Sequence, residues 1–397
     1  MKKSLAIVVA VLLAVAMFAG CASTNNPPSQ APASEKPSEA ASTQPSGAPS
    51  EAPTEAAAGY EIAMITDKGN IDDKSFNQGT WEGIEKYAKE KGITYNYYKP
   101  TEVTTDAYVA SIDLAVQGGA KIIVCPGFLF EPAIFVAQDT YPDIKFVLID
   151  GDPNDGDYSK GAPTYKRNDN VYSIFFAEEQ AGFLAGYAAV KDGYRKLGFM
   201  GGMAVPAVVR FGYGYVQGCE VAAKELGLKK GDVQIMYNYT GGFEATPEAQ
   251  TLAASWYSSG TEVIFGCGGK VGNSVFSAAE AAAGKAIGVD VDQSFESETV
   301  ITSAMKGVGN AAYSALTDYY AGSFKGGVSE HLDIQVDMVG LPFANSKFSS
   351  FSEADYKAIC DKLINDTDGL RSSLFNEKTA EKVTGLKLDI VKVTLVE

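Results

Sequence analysis

The 397-residue sequence contains one histidine, His331, and five cysteines. A single imidazole excludes a metal site with two histidine ligands, and a Ser/His/Asp triad would have to use His331. The cysteines form no CxxC motif, and apart from Cys21 their apolar or small neighbours favour buried free thiols over disulfides. The sequence therefore predicts no metal centre, and it offers little basis for nucleophilic catalysis.

Fingerprints of nucleotide binding are also absent. The glycine-rich stretches 198–202 and 266–272 do not fit G-x-x-x-x-G-K-[ST], and no G-x-G-x-x-G follows the first predicted strand. The chain carries 33 Lys and Arg against 49 Asp and Glu, a net charge of −16. Such acidity argues against nucleic acid as a partner and against electrostatic adhesion to anionic lipid. We expect no cofactor.

The N-terminus predicts export followed by lipid attachment. Lys2 and Lys3 precede the apolar run 5–19, which is typical of a signal peptide and too short to span a bilayer. Small residues then lead to Cys21, so we expect cleavage after residue 20 and a diacylglycerol on the Cys21 thiol. A diacyl group anchors a protein stably to the cell membrane, where it would face the extracytoplasmic side. The alternative is an ordinary secretory signal with an incidental cysteine.

The segment after the predicted anchor has a different composition. Residues 22–58 are almost entirely Ala, Pro, Ser, Thr and Glu, without an aromatic residue and without Ile, Leu or Val. Such a segment cannot bury enough apolar surface to offset the entropy lost on ordering. We therefore expect residues 21–58 to be a lipidated, disordered tether that leads to a folded part beginning at residue 59.

From residue 59 onward, short apolar runs alternate with amphipathic segments. Continuous apolar runs between helical patterns predict parallel sheets covered on both faces. Two successive α/β units of similar length predict two doubly wound lobes joined by a hinge, with a ligand cleft beyond the carboxyl ends of the strands. We assign 59–168 and 302–326 to the N-terminal lobe, and 169–301 and 327–397 to the C-terminal lobe. Hinge closure on the ligand would follow.

The first βα connection is rich in polar side chains. Ser75, with Gln78 three residues later, predicts a capping box at the start of a helix. Phe76 and Asn77 would then lie in the first helical turn, close to Asp67 at the end of the first strand. Their combination suits a flat, hydrogen-bonding ligand, although a solvated acidic loop with Phe76 in the core fits the residues equally well.

Two further strands are expected to end in aspartate, at Asp150 and Asp290. Three aspartates at corresponding strand ends of one cleft, Asp67 included, favour polar ligand contacts. None of them has the partner expected of an acid/base couple. The pair Asp72 and Asp73 is the only candidate for a catalytic carboxylate cluster, and we interpret it as a loop and a helix cap.

Several motifs together resemble the bacterial basic membrane protein family, whose members are substrate-binding lipoproteins of ABC transporters and include purine nucleoside receptors. The resemblance covers residue 60 to the end of the chain. Its motifs are DKG at 67–69, DDKSFNQGTWEG at 72–83, AEEQAGFLAG at 177–186, GGM at 201–203, GVDVDQ at 288–293 and TSAMK at 302–306.

The resemblance implies a type I periplasmic-binding-protein fold that holds a nucleoside, with the base between two aromatic rings. Polar groups surround the base, and an aspartate and a lysine bind the ribose hydroxyls. The matching positions are Phe76 for the first ring, Asp67, Asn77 and Asp150 near the base, and Asp290 with Lys306 at the ribose. For the second ring we expect Phe265, with Trp256 and Phe211 as alternatives.

The resemblance also implies a monomeric receptor that delivers its ligand to an ABC permease and is not an enzyme. Lys270 stands in the glycine-rich loop where the family commonly has a small residue. Two alternatives remain from the residues. The same fold could bind a sugar or another small polar metabolite, or the protein could cleave nucleosides.

Overall fold

A computed structural model describes residues 59–378, 380 and 382–396. The predicted signal peptide at 1–20, the lipidated Cys21 and the tether at 22–58 lie outside these residues, so all three stay predictions. Among the described residues, no helix is both long and apolar enough to cross a membrane.

The central strands of the first sheet are short apolar runs that are buried on both faces, whereas its two edge strands, Tyr95–Tyr98 and Ser329–Leu332, are partly exposed. Its strands within the described chain are β1 (Ile62–Ile65), β2 (Tyr95–Tyr98), β3 (Ile122–Pro126), β4 (Lys145–Ile149), β5 (Val171–Phe176) and β11 (Ser329–Leu332). Their order is β2-β1-β3-β4-β5-β11, and every pair is parallel. The associated helices are α1 (Phe76–Lys91), α2 (Thr105–Gln117), α3 (Glu131–Thr140) and α8 (Val308–Tyr320).

The second sheet follows the same pattern. Its strands within the described residues are β6 (Lys196–Gly201), β7 (Gln234–Tyr239), β8 (Val263–Cys267), β9 (Lys285–Asp290), β10 (Val300–Lys306), β12 (Val339–Gly340) and β13 (Lys392–Leu395). The order is β12-β10-β9-β8-β6-β7-β13, and only the pairing of β12 with β10 is antiparallel. The helices of this lobe are α4 (Glu178–Lys191), α5 (Pro206–Glu225), α6 (Pro247–Ser258), α7 (Val271–Ala282) and α9 (Glu353–Ile364). Two doubly wound lobes are thereby confirmed.

The predicted lobe boundaries need correction, because strand pairing decides them. β5 pairs with β4, so the first lobe extends to residue 176 rather than 168. β10 pairs with β9 and belongs to the second lobe, which therefore runs to residue 306 rather than 301. β11 pairs with β5, so the first lobe ends at residue 332 rather than 326. The turn-rich stretch 151–170, which contains a bridge between Asn154 and Tyr165, leads into β5 and so stays in the first lobe.

Helices α4 and α5 approach each other backbone to backbone. A Cβ atom at Gly186 would lie 2.0 Å from the carbonyl oxygen of Tyr215, and one at Gly218 would lie 2.0 Å from that of Phe183. Gly182 and Gly214 make equally close contacts from the neighbouring turns. The glycines therefore set the separation of the two helices that carry Glu178 and Arg210.

Candidate ligand-binding cleft

The carboxyl ends of both sheets border one cleft of about 190 Å³. The first lobe contributes the ends of β1, β3 and β4 and the start of α1. The second lobe contributes the ends of β8, β9 and β10, the loop after β7, and the starts of α5 and α7. Six of the seven predicted ligand-binding residues line this cleft: Asp67, Phe76, Asn77, Asp150, Asp290 and Lys306.

The start of α1 is organised by Asp73. Its carboxylate accepts hydrogen bonds from the backbone N–H groups of Ser75 at 2.9 Å, Asn77 at 3.0 Å and Gln78 at 3.0 Å. Ser75 makes no side-chain cap, so the predicted capping box is wrong. Its hydroxyl instead donates to Asp290 of the other lobe. Asp73 thus acts as the helix cap, and Ser75 is left to connect the lobes.

Asn77 is held in a single orientation by two carboxylates. Its Nδ2 donates to Asp67 at 2.9 Å and to Asp73 at 2.8 Å, while its Oδ1 accepts from the Asp67 backbone N–H at 3.3 Å. Burial raises the pKa of Asp67 to about 6, although hydrogen bonds from the Gly69 N–H and Asn77 oppose the rise. This corner of the cleft presents a carboxyl group and an amide beside the ring of Phe76.

Lys306 is the buried cation of the cleft. Its Nζ donates to Asp150 and to Glu178, the latter at 3.1 Å, and lies 3.9 Å from Asp290 Oδ1. The same atom lies 4.6 Å from the centroid of the Phe76 ring. Burial alone would lower the pKa of Lys306, but the three carboxylates outweigh it and raise that pKa, so the side chain is an ammonium ion.

Asp150 and Asp290 both adopt left-handed backbone conformations, with φ of 61° and 64°. Aspartate tolerates this region better than most residues, and such conformations cluster at ligand sites. Asp150 Oδ1 is buried and has no hydrogen-bond partner among the described residues. Buried acceptors without a partner are uncommon in proteins.

Glu178 was not predicted as a site residue, yet it organises the cation. It is the first residue of α4 and is fully buried. Its Oε2 accepts from Arg210 Nε at 2.5 Å, and its Oε1 accepts from Lys306. Burial would raise the pKa of Glu178, but the charges of Arg210 and Lys306 hold it below its usual range. The only signal in the sequence was the AEEQ motif, which resembled the family but suggested no role.

The predicted second ring, Phe265, does not line the cleft. It lies in the middle of β8, fully buried, with its ring edge-on to Phe199 and Tyr215, each at 5.4 Å. Trp256 is also in the core. Phe211 does line the cleft but is only 1% exposed. The more accessible ring on the second lobe is that of Phe243, in the loop after β7. Sequence reasoning missed it because the three candidates were taken from predicted strands and helices, whereas Phe243 lies in a loop.

The lobes are connected across the cleft by polar contacts. Lys270, noted above for its place in the glycine-rich loop, lies with its Nζ 3.3 Å from Asp72 Oδ1. Gln293 Nε2 donates to the backbone carbonyl oxygen of Lys74 at 2.7 Å. These contacts join the first βα connection to the second lobe, so the structure is that of a closed cleft.

Comparison with known proteins identifies the family. The family model described as "ABC transporter substrate-binding protein PnrA-like", named Bmp, matches residues 60–368. The chain belongs to this family. It is 31% identical to the ABC transporter nucleoside-binding protein BmpA of Lactococcus lactis, over 75% of this chain and 86% of that protein. It is 30% identical to basic membrane protein B of Borreliella burgdorferi, over 72% of this chain and 81% of that protein.

Solved structures agree with the fold. An ABC transporter solute-binding protein from Aeropyrum pernix aligns with a TM-score of 0.63 at 25% identity, covering 82% of this chain and 89% of that one. The predicted resemblance to the basic membrane protein family is confirmed. As a Bmp-family protein the chain is a substrate-binding protein of an ABC transporter, a class whose members are not enzymes. Membership implies a small ligand and a permease partner.

The raised pKa of Asp67 predicts a specific pH dependence of stability. The folded protein holds this proton more tightly than the unfolded chain, whose carboxyl has an ordinary pKa of 3.8. The protonated Asp67 therefore stabilises the folded protein. This contribution to the free energy of unfolding is fully present below about pH 4 and is lost as pH rises through about 6. Asp67→Asn keeps an acceptor for Asn77 and removes the titration. The free energy of unfolding of the variant, relative to that of wild type, should rise by about 1–3 kcal/mol as the pH is raised from 4 to 7.

Urea denaturation of both proteins at unit steps across this pH range measures the difference directly. Comparing the two proteins cancels the titration of all other groups that behave alike in both. Parallel profiles for wild type and Asp67→Asn would contradict the assignment.

Proposed function

We propose that this protein is an extracytoplasmic receptor that binds a nucleoside, preferably a purine nucleoside, in the cleft and delivers it to an ABC permease. Lipid on Cys21 would hold it at the membrane. One observation carries the proposal. The cleft combines an aromatic ring, a carboxyl and an amide with a buried Lys306–Asp290 pair. These groups match the two chemically different halves of a nucleoside.

In the proposed complex the base stacks on Phe76 and Phe243, which reach the cleft from opposite lobes. Stacking a base on an aromatic ring contributes about 1–3 kcal/mol and tolerates different bases. Selection among bases must then come from hydrogen bonds to the base edge. Asp67 and Asn77 are the groups that would make them. A base that leaves one of these buried partners unpaired loses about 1–3 kcal/mol. A carboxyl group with its pKa near 6 can also donate to a ring nitrogen when protonated.

In the proposed complex the ribose hydroxyls bind Lys306 and Asp290. The 3.9 Å between the ammonium and the carboxylate oxygen is longer than a hydrogen bond, which leaves both groups able to bind hydroxyls. A vicinal diol has two adjacent hydroxyl groups, each able to donate and accept. It can therefore accept from the ammonium and donate to the carboxylate. Asp150 Oδ1, which is unpartnered among the described residues, is a further acceptor nearby.

The charge of the cleft favours a neutral ligand over a phosphorylated one. Six carboxylate side chains line it, from Asp67, Asp72, Asp73, Asp150, Asp290 and Glu244, against three lysines at 99, 270 and 306. An excess of negative charge repels a phosphate dianion. Nucleosides rather than nucleotides are therefore the proposed ligands.

Mass spectrometry of the protein purified under native conditions tests the proposal against the sugar alternative. We expect a nucleoside mass that is released on denaturation. A sugar in its place would contradict the proposal. Free base accumulating from added nucleoside would instead support the cleaving enzyme.

Phe243→Ala should weaken nucleoside binding by about 5- to 150-fold, the loss of one stacking partner. Calorimetric titration of the variant measures it. The matched control is Phe295→Ala, which removes a ring that is 81% exposed on the same lobe and does not line the cleft. Its affinity should equal that of wild type. Unchanged binding in Phe243→Ala together with a loss in Phe211→Ala would reassign the second ring.

A further inference from the structure

The C-terminal segment, whose described residues are 370–378, 380 and 382–396, is attached along α5 and lies beyond the part of the chain that the family model matches. Gln217 exchanges two hydrogen bonds with the Phe375 backbone, at 2.8 and 2.9 Å. The Glu220 carboxylate accepts from the backbone N–H groups of 389, 390 and 391. β13 then adds to the edge of the second sheet beside β7. The segment is thus fixed to one face of α5.

The same segment reaches the ligand cleft through one side chain, Glu377. Its Oε1 accepts from the terminal guanidinium nitrogen NH1 of Arg210 at 2.9 Å. Arg210 Nε donates to Glu178 Oε2, and Glu178 Oε1 accepts from Lys306. A continuous chain of charged contacts therefore runs from the C-terminal segment to the lysine of the cleft.

The geometry of Arg210 shows what Glu377 does. A guanidinium prefers to bind one carboxylate through two parallel hydrogen bonds. Here Glu377 holds Nη1 while Nε donates to Glu178 Oε2, so the guanidinium is fixed between two carboxylates. The other oxygen of Glu178 accepts from Lys306. The side chains of Arg210 and Glu178 are 9% and 0% exposed, so little water is present to replace a lost partner.

Without the Glu377 carboxylate, Nη1 is held more weakly, and the guanidinium can shift relative to Glu178. Glu178 Oε1 would then be held less firmly against Lys306. Asp150 would remain as the firmly placed acceptor of the ammonium. The lysine would no longer be fixed at the position that places its ammonium near Asp290.

We propose that Glu377 and Arg210 are positioning residues for Lys306, and that the C-terminal segment thereby sets the affinity of the cleft for the ribose hydroxyls. The inference rests on the proposed function, in which Lys306 binds those hydroxyls. Neither residue lines the cleft. Both act by holding the carboxylate of Glu178 against Lys306.

Glu377→Gln tests the inference in the full-length protein. It keeps the size of the side chain and removes its charge. Affinity for the nucleoside that binds wild type should fall about tenfold, because the amide oxygen of glutamine holds the guanidinium more weakly than a carboxylate does. Affinity for its 2′,3′-dideoxy form should not change, because that ligand lacks the hydroxyls that Lys306 binds. Glu377→Asp, which keeps the carboxylate, should recover part of the loss.

Asp389→Asn is the matched control. It removes a carboxylate from the same segment, 78% exposed and paired with Lys224 rather than Arg210, and should bind like wild type. Equal loss of the nucleoside and its dideoxy form in Glu377→Gln would show a general structural role and overturn the inference. No loss at all would overturn it as well.

A crystal structure of Glu377→Gln separates this inference from the proposed function. If wild type binds no nucleoside, the proposed function fails, but the arrangement of Arg210 can still be observed. We expect Arg210 and Glu178 to be displaced in the variant, with the distance from Glu178 Oε1 to Lys306 Nζ longer than 3.1 Å. An unchanged Arg210–Glu178–Lys306 geometry would contradict the inference whatever the ligand.

Discussion

Lys306→Met should abolish detectable nucleoside binding and lower the free energy of unfolding by about 3–5 kcal/mol. The lysine is 3% exposed and lies among three carboxylates, from Asp150, Glu178 and Asp290. Removing it leaves those buried charges facing one another, with only Arg210 still paired to Glu178. Methionine fills a similar volume, so the cost is electrostatic rather than one of packing.

Urea denaturation and calorimetric titration of Lys306→Met measure the two effects. Lowering the pH should return part of the lost stability, because Asp150 and Asp290 already have raised pKa values caused by burial and would become protonated. The matched control is Lys191→Met, which removes a partly exposed pair with Glu225 on the same lobe. It should cost less than about 1 kcal/mol and leave affinity unchanged. Equal effects of the two substitutions would contradict the role of Lys306.

Gly186→Ala should destabilise the second lobe by about 3 kcal/mol. A Cβ at this position would meet the Tyr215 carbonyl carbon at 2.9 Å as well as its oxygen at 2.0 Å. Both atoms belong to the backbone, so no side chain can move aside, and α4 must separate from α5. Because α4 begins at Glu178, nucleoside binding should weaken in the same variant.

Gly272→Ala is the control for this substitution. It also lies within a helix, α7, but its Cβ would first meet the ring end of Phe276 at 3.2 Å, which is the far end of a side chain. Alanine is favoured over glycine in a helix by about 1 kcal/mol. Stability should therefore stay close to wild type or rise. A Gly186→Ala protein as stable as Gly272→Ala would show that the helices are not limited by this contact.

Cleft residues were easiest to predict from the sequence where they stand at or just after the end of a strand. Asp67, Asp150 and Asp290 each come at or just after the end of a buried apolar run, so the topology of a parallel sheet brings them to one edge. Phe76 and Asn77 follow from the start of the next helix. Their roles as ligand contacts stay proposals, but their meeting in one cleft could be predicted.

The second ring could not be predicted in the same way. Phe243 stands in a loop of glycines and polar residues, where no periodicity indicates which way a side chain points. Phe265 fitted the apolar pattern of β8, and that pattern indicated its burial in the core rather than a place in the cleft. The predicted lobe boundaries were wrong for a related reason. The lobe to which β5, β10 or β11 belongs is decided by the strand it pairs with, which the local sequence does not indicate.

Local polar detail also depended on tertiary contacts. Ser75 and Gln78 matched a capping box, yet Asp73 took the backbone donors, and Ser75 bonded to Asp290 of the other lobe. Glu178 matched a family motif without an evident role, because its two partners, Lys306 and Arg210, are distant in sequence. In both cases contacts between residues distant in sequence, rather than the local pattern, set the role of the side chain.

Calorimetric titration of the full-length protein, freed of any bound ligand, with adenosine, guanosine, inosine, cytidine and uridine tests the central claim most directly. Adenosine monophosphate and ribose serve as comparisons. We predict saturable binding of at least one nucleoside at a single site, with purines ahead of pyrimidines and no binding of the monophosphate. Folded protein that gives no heat with any of the five nucleosides would contradict the account.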